Sequence, residues 1–365
     1  MNTDFNKIGV VILRTLLGCC LIHLCIGSVY ALSVLYTPIM EMTGWGISTL
    51  IQGFALTILA LGLTASFHQR IFNLFPKKGI LQIAIALWII TQNFSLVFIM
   101  EGLELLYYLS SIILGIAIGL LYVIPINIVT EYGYVNLGRA NGAVVCCFGL
   151  GSILASKLFV GIPLQELILL YVVYALIMII GVSLIECTSI IVIPPGFVRD
   201  RNWYILAMIF FLNIGIGISI LSNLVHLSVE RGLETLDAIW LVALAGIANS
   251  VGRLLYATLT DYCSRKTIID LMLWIQLIAL TNVFWFGSDL WSVNILAIIS
   301  VYGGLFAIMP SLMKELYGTI VAYSQVLSMW GLSGLICPIL FSHIGADMLI
   351  GMSILTTILI SLLKK

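Results

Sequence analysis

The chain has 365 residues, of which 62% are hydrophobic and 9% are charged, and its 16 Lys and Arg are balanced by 16 Asp and Glu. Its mean hydropathy is +1.18. A water-soluble globule needs more charged residues than this to cover its surface. The sequence therefore predicts an integral membrane protein in contact with lipid. Zero net charge argues against a nucleic-acid partner. No metal-ligand spacing, phosphate-binding loop or catalytic grouping is found, so we expect no enzyme activity, metal or cofactor.

The apolar segments predict an all-α membrane fold with twelve transmembrane helices, because about twenty apolar residues are needed to cross a bilayer. The predicted spans are 14–38, 48–68, 79–100, 105–130, 138–161, 164–186, 203–226, 238–260, 267–287, 291–313, 318–342 and 346–363. The longest connection, 188–202, contains two prolines, a glycine and three charges, which is typical of a linker. It separates a six-helix half at 1–187 from a second at 203–365.

The basic residues predict the orientation of the chain, because cytoplasmic loops hold an excess of Lys and Arg. With both termini in the cytoplasm, Arg231 is the one basic residue in an outer loop, and Lys157 and Arg253 are the two within spans. Lys157 lies near the outer end of its span, where its stem can extend to the headgroups. Uninterrupted spans without a transit peptide favour a multi-pass protein of a bacterial inner membrane.

Arg253 is the leading candidate for a functional residue. It lies eight residues before Asp261, so on a continuous helix it is about 12 Å deeper in the membrane than the loop that follows. A guanidinium there costs about 3 kcal/mol and usually faces a polar interior. No Asp or Glu falls near the middle of a predicted span, so the simplest partner is a substrate carboxylate, which accepts two parallel hydrogen bonds. The alternative is a guanidinium satisfied by carbonyls and hydroxyls at a helix crossing.

The loop after Arg253 carries a recognisable pattern. Ala257 precedes Asp261 by four residues, and Arg265 and Lys266 follow. This loop resembles the signature of the major facilitator superfamily, in which a glycine, an aspartate and a basic pair follow one another. The resemblance implies two six-helix repeats with a substrate site near the membrane midplane. It also implies a conformational role for Asp261, Arg265 and Lys266.

Further segments resemble the oxalate/formate antiporter family in their order and spacing. They are GSVYALSVLYTP (27–38), GIAIGLLYVIP (115–125), GRANGAVVCCFGLGS (138–152) and YGGLFAIMP (302–310). In that family an arginine at the position of Arg253 binds the substrate carboxylate, and aromatic residues of spans 1, 4 and 10 line the cavity. The matching aromatic residues are Tyr30, Tyr122 and Tyr302. Where dicarboxylate transporters of the family have a lysine in span 11, this chain has Trp330, which argues against oxalate.

These features together predict a monomeric secondary transporter of small monocarboxylates such as pyruvate, lactate or formate. It would work by alternating access, with anion exchange or proton coupling. His23, in the middle of span 1, is the candidate proton relay because imidazole titrates near neutral pH; a permanently neutral, hydrogen-bonded histidine is the alternative. Ordinary packing is the alternative for the tyrosines and Trp330. A carrier of an amino acid, a drug or another organic anion, and a sensor or assembly subunit without transport, stay open.

Overall fold

The computed structural model of the chain describes residues 2–72, 75–131, 136–186, 198–287 and 289–363. In these ranges eleven helical segments are long and apolar enough to cross a membrane, and one further apolar helix, Ala346–Ser361, has 16 residues. The prediction of an all-α fold is therefore confirmed for the described part of the chain. Most of the predicted linker, residues 188–197, lies outside the described residues.

The first of two compact units comprises Met1–Val135 and Cys147–Pro195. Its helices are α1 (Asn2–Ile26), α2 (Tyr36–Thr43), α3 (Ile47–Phe72), α4 (Lys77–Met100), α5 (Glu104–Glu131), the later part of α6 (Leu137–Gly161) and α7 (Leu167–Leu184). Helix α5 packs against α1, α3 and α4, and α7 packs against α1 and α4. Helix α5 is consequently buried over most of its length.

The second unit comprises Asn136–Cys146 and Gly196–Lys365. Its helices are the start of α6, then α8 (Arg201–Glu230), α9 (Thr235–Leu259), α10 (Arg265–Phe284), α11 (Trp291–Tyr317), α12 (Val321–Val326), α13 (Ser328–Ile344) and α14 (Ala346–Ser361). Helix α11 packs against α8, α9 and α10, and α14 packs against α8 and α10. These contacts of α11 and α14 correspond to those of α5 and α7 in the first unit, with α8, α9 and α10 in the places of α1, α3 and α4. Such a correspondence is expected for parallel repeats.

The start of α6 belongs to the second unit, although the sequence assigns it to the first half. Glycines explain this grouping. A Cβ atom at Gly138 would lie 2.2 Å from the carbonyl oxygen of Ala257, and one at Gly142 would lie 2.9 Å from the Cβ of Ala257. Small residues let two helix backbones approach this closely in a membrane, so α6 begins in direct contact with the end of α9.

The first predicted span is not one continuous α-helix. Between α1 and α2 the chain forms a 3₁₀ helix of nine residues, Gly27–Leu35. Runs of 3₁₀ helix longer than three or four residues are uncommon, and one in the middle of a helix often marks a functional hinge. At about 2.0 Å per residue instead of 1.5 Å, this segment is roughly 4.5 Å longer than the same residues in an α-helix.

Asp200 anchors the start of α8. Its Oδ1 accepts hydrogen bonds from the backbone N–H of Trp203 at 2.9 Å and from the Tyr317 hydroxyl at 2.5 Å. The hydrogen bond from Tyr317 holds the pKa of the Asp200 carboxyl below its ordinary value. Next to it, Nε of Arg199 donates to Oε1 of Gln325 at 2.8 Å. The last residues of the predicted linker are therefore tied to the end of α11 and to α12.

Replacing Gly151 tests the contact between α6 and α1 in the first unit. A Cβ atom at Gly151 would lie 1.9 Å from the carbonyl oxygen of Leu24. We expect Gly151→Ala to lower the free energy of unfolding by about 1–3 kcal/mol, as overpacking does, and to lower the melting temperature in detergent. Gly161→Ala on the same helix is the matched control, because nothing lies within 4 Å of its new Cβ. Equal melting temperatures for the two variants would contradict the close contact.

Candidate substrate-binding site

Arg253 is fully buried, with 0% of its surface exposed. It lies six residues before the end of α9, which places its Cα about 9 Å from that end. Its Nε donates to Oδ1 of Asn249 at 3.2 Å, one turn earlier on the same helix, and its Nη1 donates to the carbonyl oxygen of Val145 on α6 at 2.9 Å. Both of these acceptors are neutral oxygens, so these two hydrogen bonds orient the guanidinium and bring no negative charge to it.

Aromatic rings lie beneath the guanidinium of Arg253. The Cζ of Arg253 is 5.2 Å from the ring centroid of Phe306, a distance at which a cation is attracted to the face of the ring. Phe306 also contacts Tyr302 edge-on at 5.6 Å and Trp330 edge-on at 4.8 Å between ring centroids. Arg253, Tyr302 and Trp330, three of the sequence-predicted residues, therefore meet around one phenylalanine in the second unit.

Backbone contacts between α9 and α11 fix this arrangement. A Cβ atom at Gly252 would lie 2.2 Å from the carbonyl oxygen of Ser300, and one at Gly303 would lie 2.2 Å from the carbonyl oxygen of Asn249. These glycines adjoin Arg253 and Tyr302 in the sequence. The register of the two helices, and with it the position of the guanidinium over the ring of Phe306, thus depends on the two glycines.

The remaining predicted residues meet in the first unit. Nε2 of His23 donates to the carbonyl oxygen of Tyr122 at 3.0 Å, and the ring centroids of these two residues are 5.0 Å apart. Phe148 lies edge-on to Tyr30 and to Tyr122, each at 5.4 Å, and to His23 at 6.2 Å. His23 and Tyr122 are fully buried and Tyr30, on the 3₁₀ segment, is half-buried. Because a carbonyl only accepts, the Nε2 of His23 carries a proton.

Sequence reasoning missed the residues at the centre of both groups. Phe306 and Phe148 touch most of the predicted residues, and Asn249 holds the guanidinium. Asn249 is one helical turn before Arg253 and Phe306 is one turn after Tyr302, so helical spacing could have suggested both. Phe148 has no such signal, because its partners come from other helices.

The predicted loop residues connect helix ends. The carboxylate of Asp261 accepts from the backbone N–H groups of Gly138 at 2.8 Å and Arg139 at 2.9 Å, in the first turn of α6. Arg265 donates to Glu315 at 2.5 Å near the end of α11, and Lys266 donates to the carbonyl oxygen of Leu363 at 2.7 Å. Asp261 therefore caps α6 and neutralises part of the positive end of its dipole.

Comparison with known proteins supports a transporter fold. No family profile matches the chain. It is 23% identical over 333 residues to YhjX, an uncharacterized MFS-type transporter of Escherichia coli K12, covering 83% of this chain and 80% of that protein. It is similar to the crystal structure of the MFS transporter FucP (TM-score 0.78, 14% identity, 98% and 100% of the two chains covered). It is also similar to the human organic anion transporter MFSD10 (TM-score 0.73, 15% identity, 98% and 99% covered).

These similarities show that the chain has the fold of the major facilitator superfamily. The similar proteins are transporters and not enzymes, which agrees with the prediction from the sequence. A multi-pass membrane protein follows from the same fold. At this level of identity the comparisons leave the substrate to be argued from the residues of this chain.

The cap on α6 can be tested with Asp261→Asn. This change removes the negative charge and one of the two acceptors, so we expect the free energy of unfolding to fall by about 0.5–2 kcal/mol, as for other helix caps. Asp270→Asn is the matched control, because the carboxylate of Asp270 makes no hydrogen bond to the described residues. Thermal melts in detergent compare the two variants. A loss of stability as large in Asp270→Asn would show that Asp261 has no special role.

Proposed function

We propose that this chain is a secondary active transporter of small monocarboxylates, of the size of pyruvate, lactate or formate. The observation that carries the proposal is the fully buried guanidinium of Arg253, held by two neutral oxygens over the ring of Phe306. In this proposal Arg253 binds the substrate carboxylate, and Tyr30, Tyr122, Tyr302 and Trp330 contact the remainder of the molecule.

The chemistry of Arg253 favours a carboxylate over other ligands. A planar guanidinium presents paired N–H groups that match the two oxygens of a carboxylate, and such bonds are strong where water is excluded. Asn249 and Val145 fix the orientation of the guanidinium before the ligand arrives, which lowers the entropy cost of binding. The similar MFSD10 structure is of an organic anion transporter, which adds support for an anionic substrate.

A single carboxylate fits the surroundings better than two. Trp330 is fully buried against Phe306, at the place where the resemblance to dicarboxylate transporters leads one to expect a lysine. The indole of Trp330 offers one neutral N–H donor and no positive charge, so it cannot neutralise a second carboxylate, whose burial without a counter-charge is costly. We therefore favour monocarboxylates, and we place the chain in the oxalate/formate antiporter family without carrying oxalate over as the substrate.

The proposal also includes a membrane topology. We propose twelve spans, with Ala346–Ser361 as the last, both termini in the cytoplasm, and residues 1–187 and 203–365 as the two halves joined by a cytoplasmic linker at 188–202. The excess of Lys and Arg in the loops of one side supports this orientation. The Escherichia coli relative supports a bacterial inner membrane. We propose that the protein works as a monomer, as each carrier contains both repeats.

The proposed transport cycle is alternating access. In it Asp261, Arg265 and Lys266, in and after the loop that follows α9, take part in the conformational change. Coupling is by exchange of one anion for another or by protons. His23 is the proposed proton relay, because it is buried and its Nε2 proton is donated to a backbone carbonyl beside Tyr122. FucP has been described as a fucose:proton symporter, so proton coupling is compatible with this fold.

Ligand-dependent thermal melts test the role of Arg253. We expect pyruvate, lactate or formate to raise the melting temperature of the wild type, since a ligand at 100 times its Kd adds about 2.7 kcal/mol. Arg253→Gln should abolish the increase, and Arg253→Lys should retain only part of it, because lysine keeps the charge and loses the fork geometry. The increase is measured within each variant, so a change in basal stability does not affect the comparison.

Arg231→Gln is the control for this experiment. Arg231 lies over the rings of Phe284 and Trp291, outside the proposed site, so its variant should keep the full ligand response. If uncharged analogues stabilise the wild type as well as carboxylates do, another solute is the substrate. If carboxylates bind without being transported by reconstituted protein, the chain is a sensor. An unchanged response in Arg253→Gln would overturn the proposed site.

His23→Gln tests proton coupling in proteoliposomes. We expect uptake driven by a pH gradient to fall, because glutamine cannot gain and lose a proton near neutral pH, while exchange of labelled for unlabelled substrate continues. The measurement is the ratio of gradient-driven uptake to exchange at matched protein content. Equal losses in both assays would indicate that His23 is structural, and no loss in either would assign coupling elsewhere.

A further inference from the structure

The first unit contains a cavity that is separate from the residues proposed for substrate binding, because none of those residues lines it. Its volume is about 40 Å³, and it lies among the 3₁₀ segment, α2, α3, α4, α5 and α7. One buried water needs about 10–15 Å³ on this scale, so the cavity holds roughly three waters or a small organic molecule. It extends from Tyr107 to Leu114 of α5, which is within about 15 Å of the start of that helix.

Polar side chains without hydrogen bonds face this cavity. Gln92 is 4% exposed, lines the cavity, and makes no side-chain hydrogen bond within the described part of the chain. The hydroxyls of Ser95 and Tyr36 line the same space and have no hydrogen-bond partner among the described residues either. A mostly buried amide without a partner is destabilising, so a ligand that bonds to these groups would recover that energy.

Most of the remaining wall of the cavity is apolar and includes Leu32, Leu35, Phe54, Leu96 and Leu114. Thr57 and Ser111 also line it, and their hydroxyls donate to backbone carbonyls of α3 and α5. None of the described residues that line the cavity is charged, so an ion entering it would lose its hydration without compensation. The ligand must therefore be neutral, carry at least one group that both donates and accepts hydrogen bonds, and have a short apolar body.

The 3₁₀ segment shapes one side of this space. In a 3₁₀ helix side chains three residues apart are eclipsed, so Leu32 and Leu35 stand one above the other toward the cavity. An α-helix would turn these residues about 60° away from each other over the same three positions. The shape of the cavity therefore depends on the 3₁₀ conformation of this segment. A molecule bound in the cavity would contact both leucines and so stabilise that conformation.

We propose that this cavity is a second binding site, for a short aliphatic molecule that ends in an uncharged hydroxyl group. Two sources share this chemistry: a short-chain alcohol, and the protonated form of a short carboxylic acid. Gln92, Ser95 and Tyr36 bind the hydroxyl or carboxylic group, and the leucine side chains and Phe54 contact the carbon chain. The site does not depend on the anion site at Arg253.

Fluorine NMR of small ligands with the purified full-length protein tests the proposal. The probes are 2-fluoroethanol, 3-fluoropropanoic acid measured below and above its pKa, and trifluoroacetate as a permanent anion. We expect 2-fluoroethanol to bind at both pH values and to give line broadening beyond that of protein-free micelles. The fluorinated acid should bind through this site only in its protonated form. Arg253→Gln is used for the two acids, so that binding at the anion site does not contribute.

Gln92→Leu is the decisive variant. It removes the amide at nearly constant size, so the affinity for 2-fluoroethanol should fall about fivefold, as for the loss of one hydrogen bond. The melting temperature should stay the same or rise, because an unpartnered buried amide has been removed. Gln52→Leu on α3 is the matched control outside the cavity and should bind like the wild type. If Gln92→Leu fails to fold, Ser95→Val replaces it.

Each outcome decides the proposal. Binding of the alcohol, of the protonated acid or of both, lost in Gln92→Leu, supports the site, and the probe that binds names the source of its ligand. Unchanged binding in both Gln92→Leu and Ser95→Val overturns it. Absence of broadening beyond micelles, or equal binding of trifluoroacetate in the Arg253→Gln background, also overturns it. A failure here leaves the carboxylate response of Arg253 unaffected, so the two proposals are separately testable.

Discussion

The side chain of Arg253 is fully buried, and the second unit is arranged to hold its guanidinium away from water. Oxygens of Asn249 and Val145 and the ring face of Phe306 contact it. The contact with Phe306 depends on the close approach of the α9 and α11 backbones at Gly252 and Gly303. In a lipid environment such close packing also replaces the hydrophobic effect as the source of helix association. The same close approach therefore explains the pairing of the two helices and the position of the guanidinium over the ring.

The two units share a plan and differ in chemistry. Each has a mostly buried central helix, α5 or α11, packed against the corresponding three neighbours. Each also places a phenylalanine among aromatic rings beside one polar side chain: Phe306 beside Arg253, and Phe148 beside His23. The two groups are not at equivalent places in the repeat, because Arg253 and Phe306 lie on α9 and α11, which correspond to α3 and α5, whereas His23 and Phe148 lie on α1 and α6. The shared scaffold therefore carries a guanidinium in one unit and an imidazole in the other, on different helices.

The sequence predicted what depends on composition and charge, and missed what depends on tertiary contact. Arg253 and Asp261 were found because a cation in an apolar segment and an acid in a short basic loop are conspicuous. The 3₁₀ segment at Gly27–Leu35 was missed because apolar residues serve an α-helix and a 3₁₀ helix alike, so the choice is made by packing. Phe306 and Phe148 were missed for a related reason: a phenylalanine in a membrane span is ordinary until its neighbours are known. The grouping of 136–146 with the second unit depends on contacts over more than a hundred residues of sequence.

The different side chains of the two units, Arg253 in the second and His23 in the first, fit the proposed transport of an anion without net movement of charge. A potential of 100 mV is worth about 2.3 kcal/mol per elementary charge, which opposes anion entry into a cell with a negative interior. In the proposed function, exchange would avoid this cost because Arg253 would carry one carboxylate in each direction. Symport would avoid it because a proton on His23 would balance the charge of the substrate. Arg253 lies where the backbones of α9 and α11 approach closely at Gly252 and Gly303, whereas His23, the proposed proton relay, lies four residues before the 3₁₀ segment. In the proposed transport cycle a rigid backbone suits the first residue, and an irregular backbone suits the second.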